Sequence, residues 1–182
     1  MRVTGGWARG RTIYAPKSDR IRITSDRVRE SLFDILPPME AMRFLDVFAG
    51  TGSVGIEALS RGGMEAVFVE REPLHAGVLE KNLRLCGYED SSEILITSAQ
   101  RGVHLLGARK ERFDIVFADP PYDRGVVSEL LGLPGIDGLL TEGGTLVVEH
   151  SWREEVTSGD IFTVVDQRRY GDTGLSFLEL RI

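Results

Sequence analysis

Four consecutive residues, Asp119-Pro120-Pro121-Tyr122, close the apolar run Phe113-Asp114-Ile115-Val116-Phe117-Ala118. Proline holds φ at about −65° and has no N–H to donate. It also pushes the preceding residue out of the helical region. The segment therefore reads as a stiff, extended arch of carbonyl oxygens and one carboxylate at the exit of a buried strand. Such a surface accepts hydrogen bonds, as an exocyclic amino group on a planar nitrogen base requires. Tyr122 adds a flat face for stacking. Taken alone, the four residues fit a strand followed by a proline turn equally well.

A second motif lies upstream. The strand-like Phe44-Leu45-Asp46-Val47-Phe48 runs into Ala49-Gly50-Thr51-Gly52, and Gly55 opens a helical pattern. Glycines at 50, 52 and 55 let backbone approach a ligand at a helix N-terminus, the arrangement of nucleotide-binding loops. Glu70 ends the next apolar run, Ala66-Val67-Phe68-Val69, where a carboxylate can accept both hydroxyls of a ribose. An NAD-dependent oxidoreductase would share these features. Asp46 argues against it, because a carboxylate four residues before Gly50 would repel a pyrophosphate. It suits instead the ammonium of an amino-acid moiety, as in S-adenosylmethionine.

These groups need a scaffold that brings strand ends together. From residue 43 apolar runs alternate with helical periodicity: strands near 43–48, 65–70, 93–97, 113–118 and 143–149, helices near 54–61, 73–86, 99–106 and 125–133. Alternation of this kind predicts a parallel α/β doubly wound sheet with right-handed crossovers. Ligands then bind at the carboxyl ends of its strands, where the glycine loop and the arch would face each other. The end of the chain, 161–182, reads as two strands around Gly171-Asp172-Thr173-Gly174. This hairpin would set an antiparallel strand on the sheet. At the start, residues 1–15 read as short strands bent at Gly5-Gly6 and Gly10. A helix over 27–36 follows, capped by Ser25 or Asp26 and ended by Pro37-Pro38.

The 182 residues are 42% hydrophobic, enough for one core, and no apolar run reaches the length of a membrane helix. The N-terminus lacks the apolar stretch of a signal peptide. Cys86, the one cysteine, reads as a core residue, with Gly87 a helix C-cap. The histidines, His75, His104 and His150, have no metal spacing, and a structural role for His150 outweighs one in the site. The net charge of −6 hides an asymmetry: residues 1–29 carry +6 and residues 30–182 carry −12. A basic arm on an acidic body predicts a phosphate-binding extension, and arginine is the better fork for phosphate. Residues 1–40 are accordingly expected to be a basic, phosphate-docking extension, and 41–182 the main domain.

These residues together resemble the class I S-adenosylmethionine-dependent amino-methyltransferases. Gly5-Gly6-Trp7-Ala8-Arg9-Gly10-Arg11, the stretch Arg22 to Phe33, and Phe48-Ala49-Gly50-Thr51-Gly52 with Gly55 to Gly62 are similar to the bacterial RsmD-type family. That family methylates N2 of a guanine in small-subunit ribosomal RNA. Ile23 stands where the family often has proline, and Ser25 where it often has threonine. The resemblance implies that Asp46, Phe48, Ala49, Gly50, Thr51 and Gly52 hold the amino-acid end of S-adenosyl-L-methionine. It implies that Glu70 holds the ribose with Arg71 beside it, that Ser98-Ala99 approach the adenine, and that Asp119 to Tyr122 hold the target base. Arg2, Arg9, Arg11, Arg22, Arg27 and Arg29 become the candidate RNA contacts. The expected partner is 16S ribosomal RNA within a small-subunit assembly intermediate, met by a cytoplasmic monomer with no metal. An adenine-N6 methyltransferase of DNA or RNA and a catalytically silent RNA-binding module remain the alternatives.

Overall fold

The computed structural model describes residues 1–15, 24–122 and 125–181. Five strands run parallel: β1 (Arg43–Val47), β2 (Glu65–Glu70), β3 (Ser92–Ile96), β4 (Phe113–Ala118) and β5 (Leu140–Ser151). The hairpin of β6 (Phe162–Tyr170) and β7 (Thr173–Leu180) completes one sheet of order β3-β2-β1-β4-β5-β7-β6, with β7 antiparallel to both neighbours. Strand order reverses between β1 and β4. A crevice opens at such a switch point because the connections on either side leave in opposite directions.

The central strands read as unbroken apolar runs because both faces are covered. Phe44, Phe68, Ile115, Phe117, Val147 and Phe177 share one core with apolar side chains of α1 (Asp26–Ile35), α2 (Ser53–Ser60) and α3 (Pro73–Cys86). Leu45, Val67, Val69, Val116, Leu146 and Leu178 pack on the other face with α4 (Ala99–Ala108) and α5 (Val126–Leu131). The alternation follows the two-residue period of a strand. It also turns Asp46 toward α2, where its carboxylate accepts the Gly55 N–H at 3.0 Å.

Three local departures from the sequence expectations have physical causes. β5 starts earlier than its apolar core because the ladder to β4 shifts register between Phe113 and Ile115, with Gly143 at φ +76°. A Cβ on Gly144 would lie 3.1 Å from the Asp114 carbonyl oxygen, a tight approach that glycine relieves at this irregularity. The C-terminal hairpin turns through Gly171-Asp172 alone, because Tyr170 already pairs with Thr173. The first fifteen residues make a single bridge, Arg2 to Thr12, around a series of turns, so they form a small hairpin rather than extended strands.

The division at residue 40 is not a boundary in packing. Val3, Ala8, Ile13, Val28, Leu32, Phe33 and Met39 belong to the same buried cluster as Phe44 and Phe68. Cys86 is buried at the end of α3, and Gly87 caps it in the left-handed conformation.

Candidate active site at the carboxyl edge of the sheet

The glycine loop follows β1 and contains three residues of positive φ, Phe48 (+68°), Gly50 (+55°) and Gly52 (+76°). For a bulky residue such as Phe48 that conformation is strained, and strain of this kind collects at binding sites. The glycines divide their roles. A Cβ on Gly52 would fall 2.1 Å from Leu79 and one on Gly55 2.3 Å from the Phe68 ring, so both allow α2 to pack closely. Around Gly50 the nearest atom is 4.0 Å away, which leaves room for a ligand. Gly52 caps α2 without a side chain, so N–H groups of its first turn face the loop.

Two carboxylates hold this loop. Glu70 at the end of β2 accepts the Gly50 N–H at 2.7 Å and the Glu72 N–H at 2.8 Å. His75 Nδ1 lies 3.6 Å from the oxygen that serves Glu72, and the oxygen that serves Gly50 keeps a second lone pair for another donor. Asp46 is 2% exposed. Burial pushes its carboxyl up to about 7, the Gly55 N–H opposes this, and the charge of Glu70 adds to it. A cation arriving beside Asp46 would therefore replace lost solvation. Arg71, by contrast, is exposed and pairs with Glu72. Ser98 caps α4 by accepting the Arg101 N–H, and Thr97 N–H donates to the Glu70 carbonyl at 3.0 Å, which keeps Ser98-Ala99 beside the end of β2.

The arch adjoins the loop directly. Asp119 N–H donates to the Val47 carbonyl at 3.4 Å, so β4 leaves the sheet beside the residue that precedes Phe48. Asp119 is half-buried, Pro120 buried and Pro121 exposed. Tyr122 donates its hydroxyl to Thr173 Oγ1 at 3.3 Å, which ties the aromatic ring to the β6–β7 turn. The β4–β5 ladder ends at Ala118 and Val148, and the next residue of β5, Glu149, is a buried carboxylate that accepts the Thr24 hydroxyl at 2.8 Å. His150 is buried, with Nδ1 against the Ser151 carbonyl and Nε2 against the Ser176 hydroxyl, both at 2.8 Å. Among the described residues no cluster of His, Cys, Asp or Glu is placed to hold a metal ion, and no helix is long and apolar enough to cross a membrane.

The candidate RNA contacts separate. Arg2, Arg9, Arg11 and Arg27 are exposed, with Arg11 donating to the Leu85 carbonyl at the end of α3. Arg22 lies outside the described residues. Arg29 is a correction: it is 0% exposed and spends its guanidinium on Glu57, Asp26 and the carbonyls of Thr24 and Arg2. A cation enclosed in this way has no face left for phosphate.

Sequence reasoning passed over two residues that build this region. Glu57, 0% exposed, accepts from Thr4 N–H, the Thr4 hydroxyl, Gly5 N–H, Arg29 and Arg61, and so keys the N-terminal hairpin to α2. Its signal was available as the only charge in Ser53-Val54-Gly55-Ile56-Glu57-Ala58-Leu59-Ser60. Asn82, also fully buried, accepts the Tyr14 N–H and donates to the carbonyls of Tyr14 and Thr51. It joins the N-terminal segment to the glycine loop. Only its place on the inner face of α3 could have flagged it.

A seven-stranded sheet of this order, with a glycine loop after β1 and an acidic residue ending β2, defines the class I S-adenosylmethionine-dependent methyltransferase fold. The structure of a putative methyltransferase, yhhF, from Escherichia coli superposes with a TM-score of 0.85 at 29% identity, over 100% of this chain and 98% of that one. The family described as Conserved hypothetical protein 95 matches residues 1–179. A putative rRNA methyltransferase, YlbH, of Bacillus subtilis is 34% identical over the full length of both chains. Ribosomal RNA small subunit methyltransferase D of Escherichia coli K12 is 35% identical over 82% of this chain and 74% of its own. The chain belongs to this family, the RsmD type of ribosomal RNA methyltransferases.

Proposed function

We propose that the protein transfers a methyl group from S-adenosylmethionine to the exocyclic N2 amine of a guanine in 16S ribosomal RNA. The observation that carries this reading is the adjacency of the glycine loop and the acceptor arch, joined at Val47 and Asp119. A methyl donor on the loop and an amine on the arch would meet across that junction.

The bound cofactor would supply an electrophilic methyl group on a sulfonium. The buried Asp46 carboxylate suits the ammonium of its amino-acid end, and the open space at Gly50 suits a close approach of that group. Glu70 keeps acceptor capacity for ribose hydroxyls while anchoring the loop. Ser98-Ala99 border the same side and would approach the adenine, with Arg71 beside the ribose.

The guanine amine is a weak nucleophile because its lone pair is delocalised into the ring. Asp119 and the Pro120 carbonyl would accept its two N–H bonds and turn the lone pair toward the methyl group. Positioning and electrostatics then carry most of the rate. The nitrogen becomes acidic once alkylated, and Asp119 can take its proton. The base must leave its stack to reach the arch, and the tethered Tyr122 ring replaces the lost stacking. Arg2, Arg9, Arg11 and Arg27 would contact phosphate, holding register without selecting sequence. The reading includes a cytoplasmic monomer acting on an assembly intermediate.

The test is incubation with radiolabelled S-adenosylmethionine and undermodified small subunits, free ribosomal RNA or DNA, followed by nucleoside analysis. Label in N2-methylguanosine is the expected result. Label in N6-methyladenine would establish the adenine reading instead. Tight RNA binding without label would leave a binding module.

A further inference from the structure

Trp7 is the most exposed large apolar side chain among the described residues, at 93%. A solvated indole costs free energy unless something covers it, and its backbone here is held with unusual care. Trp7 N–H donates to the Ser60 carbonyl at 2.7 Å and Ala8 N–H to the Ser60 hydroxyl at 2.9 Å. The same hydroxyl donates to the Gly5 carbonyl at 2.6 Å. Gly6, at φ +73°, brings the chain so close that a Cβ would lie 1.6 Å from the Ser60 carbonyl oxygen. The ring therefore projects from a fixed backbone, and only its two side-chain torsions lose freedom when it meets a partner.

The surroundings indicate what that partner is. The first fifteen residues contain Arg2, Arg9 and Arg11 and no acidic residue, and all three arginines are exposed. Arg61, the C-cap of α2, lies against Gly5 and pairs with Glu57. A flat apolar ring on a hairpin whose only charged side chains are arginines complements a polyanion that carries planar rings. We propose that Trp7 is a stacking platform for an unpaired base of the RNA substrate, an inference that rests on the RNA-methylating reading above. Its position makes it a remote anchor. Ser60 ends α2 and Ser53 begins it beside the glycine loop, a separation of about 10 Å at the rise of an α-helix. The base held by Trp7 is therefore a different nucleotide from the one on the Asp119 arch. Docking there strengthens binding without altering the chemical step.

The chain has two tryptophans, so a Trp152→Phe background isolates Trp7 fluorescence. Unmodified small-subunit ribosomal RNA made by transcription should quench it. Trp7→Ala should weaken RNA binding about 5- to 150-fold, the range of base-on-ring stacking, and Trp7→Phe should recover most of the loss. The salt dependence of binding should keep its slope, since no charge is removed, whereas Arg9→Ala with Arg11→Ala should flatten it. Cofactor affinity and the rate at saturating RNA should stay as in wild type. Unquenched fluorescence, or wild-type affinity in Trp7→Ala, overturns the proposal. So does a loss seen only with assembled subunits, because the ring would then meet a ribosomal protein. A wild-type protein that neither binds nor methylates RNA would overturn the functional reading itself.

Discussion

Glutamine in place of Glu57 tests whether the N-terminal hairpin is an integral part of the fold. Oε1 accepts from the Thr4 hydroxyl, Gly5 N–H and Arg61, and Oε2 accepts from Thr4 N–H and Arg29. Whichever oxygen becomes an amide nitrogen, two or three donors then face another donor, and Arg29 loses a fully buried counter-charge. Breaking a buried ion pair costs roughly 3–5 kcal/mol. Asp26 and two carbonyls still hold Arg29, which places the loss near the lower end, about 3 kcal/mol. For a domain of this size that lowers Tm by about 6–12 °C. Calorimetry would measure the shift, and brief trypsin treatment would report whether the arginines of the hairpin become accessible. A Tm change under about 2 °C with an unchanged digestion pattern would refute the reasoning. Removing residues 1–15 should be worse than neutral for the same reason: it uncovers Val3, Ala8 and Ile13 and strips three donors from Glu57.

Asp119→Ala should abolish methyl transfer while cofactor affinity stays within a few-fold; near-normal turnover would exclude the arch from the chemistry. Glu70→Ala should weaken cofactor binding by roughly 1.5–3 kcal/mol, the scale of hydrogen bonds to a charged group. An unchanged dissociation constant in calorimetric titration would remove Glu70 as the ribose acceptor. Asp46 sets two opposed pH dependences. Its folded-state pKa of about 7 lies above the ordinary 3.8, so the folded protein holds a proton that the unfolded chain has released. Stability should fall as pH rises from about 4 to 7. An ammonium beside Asp46 selects the ionised form, so cofactor binding should release a proton near pH 6.5 and strengthen up to pH 8. Asp46→Asn keeps an acceptor for the Gly55 N–H and should be more stable at pH 8 but bind cofactor more weakly. Titrations in buffers of different ionisation enthalpy would show no proton uptake or release if Asp46 does not meet the ammonium.

The chain itself determined the alternation of strands and helices, because each central strand is a buried apolar run and each helix carries its period and caps. Ser25, Ser98 and Gly87 sit at their caps as local chemistry dictates. It also marked the candidate site residues that announce themselves by type: glycines in sequence, a carboxylate at a strand end, paired prolines. The tertiary structure alone decided what neighbours those residues have. Arg29 and Arg27 are indistinguishable as cations in sequence, yet two helical positions apart they face the core and the solvent, and only the core holds Glu57. Likewise Asn82 meets Tyr14 and Thr51, 68 and 31 residues away, and nothing local encodes that meeting. The reason is physical: a cap or a turn is satisfied within a few residues, whereas a buried charge or amide is satisfied by whatever distant chain the fold packs against it.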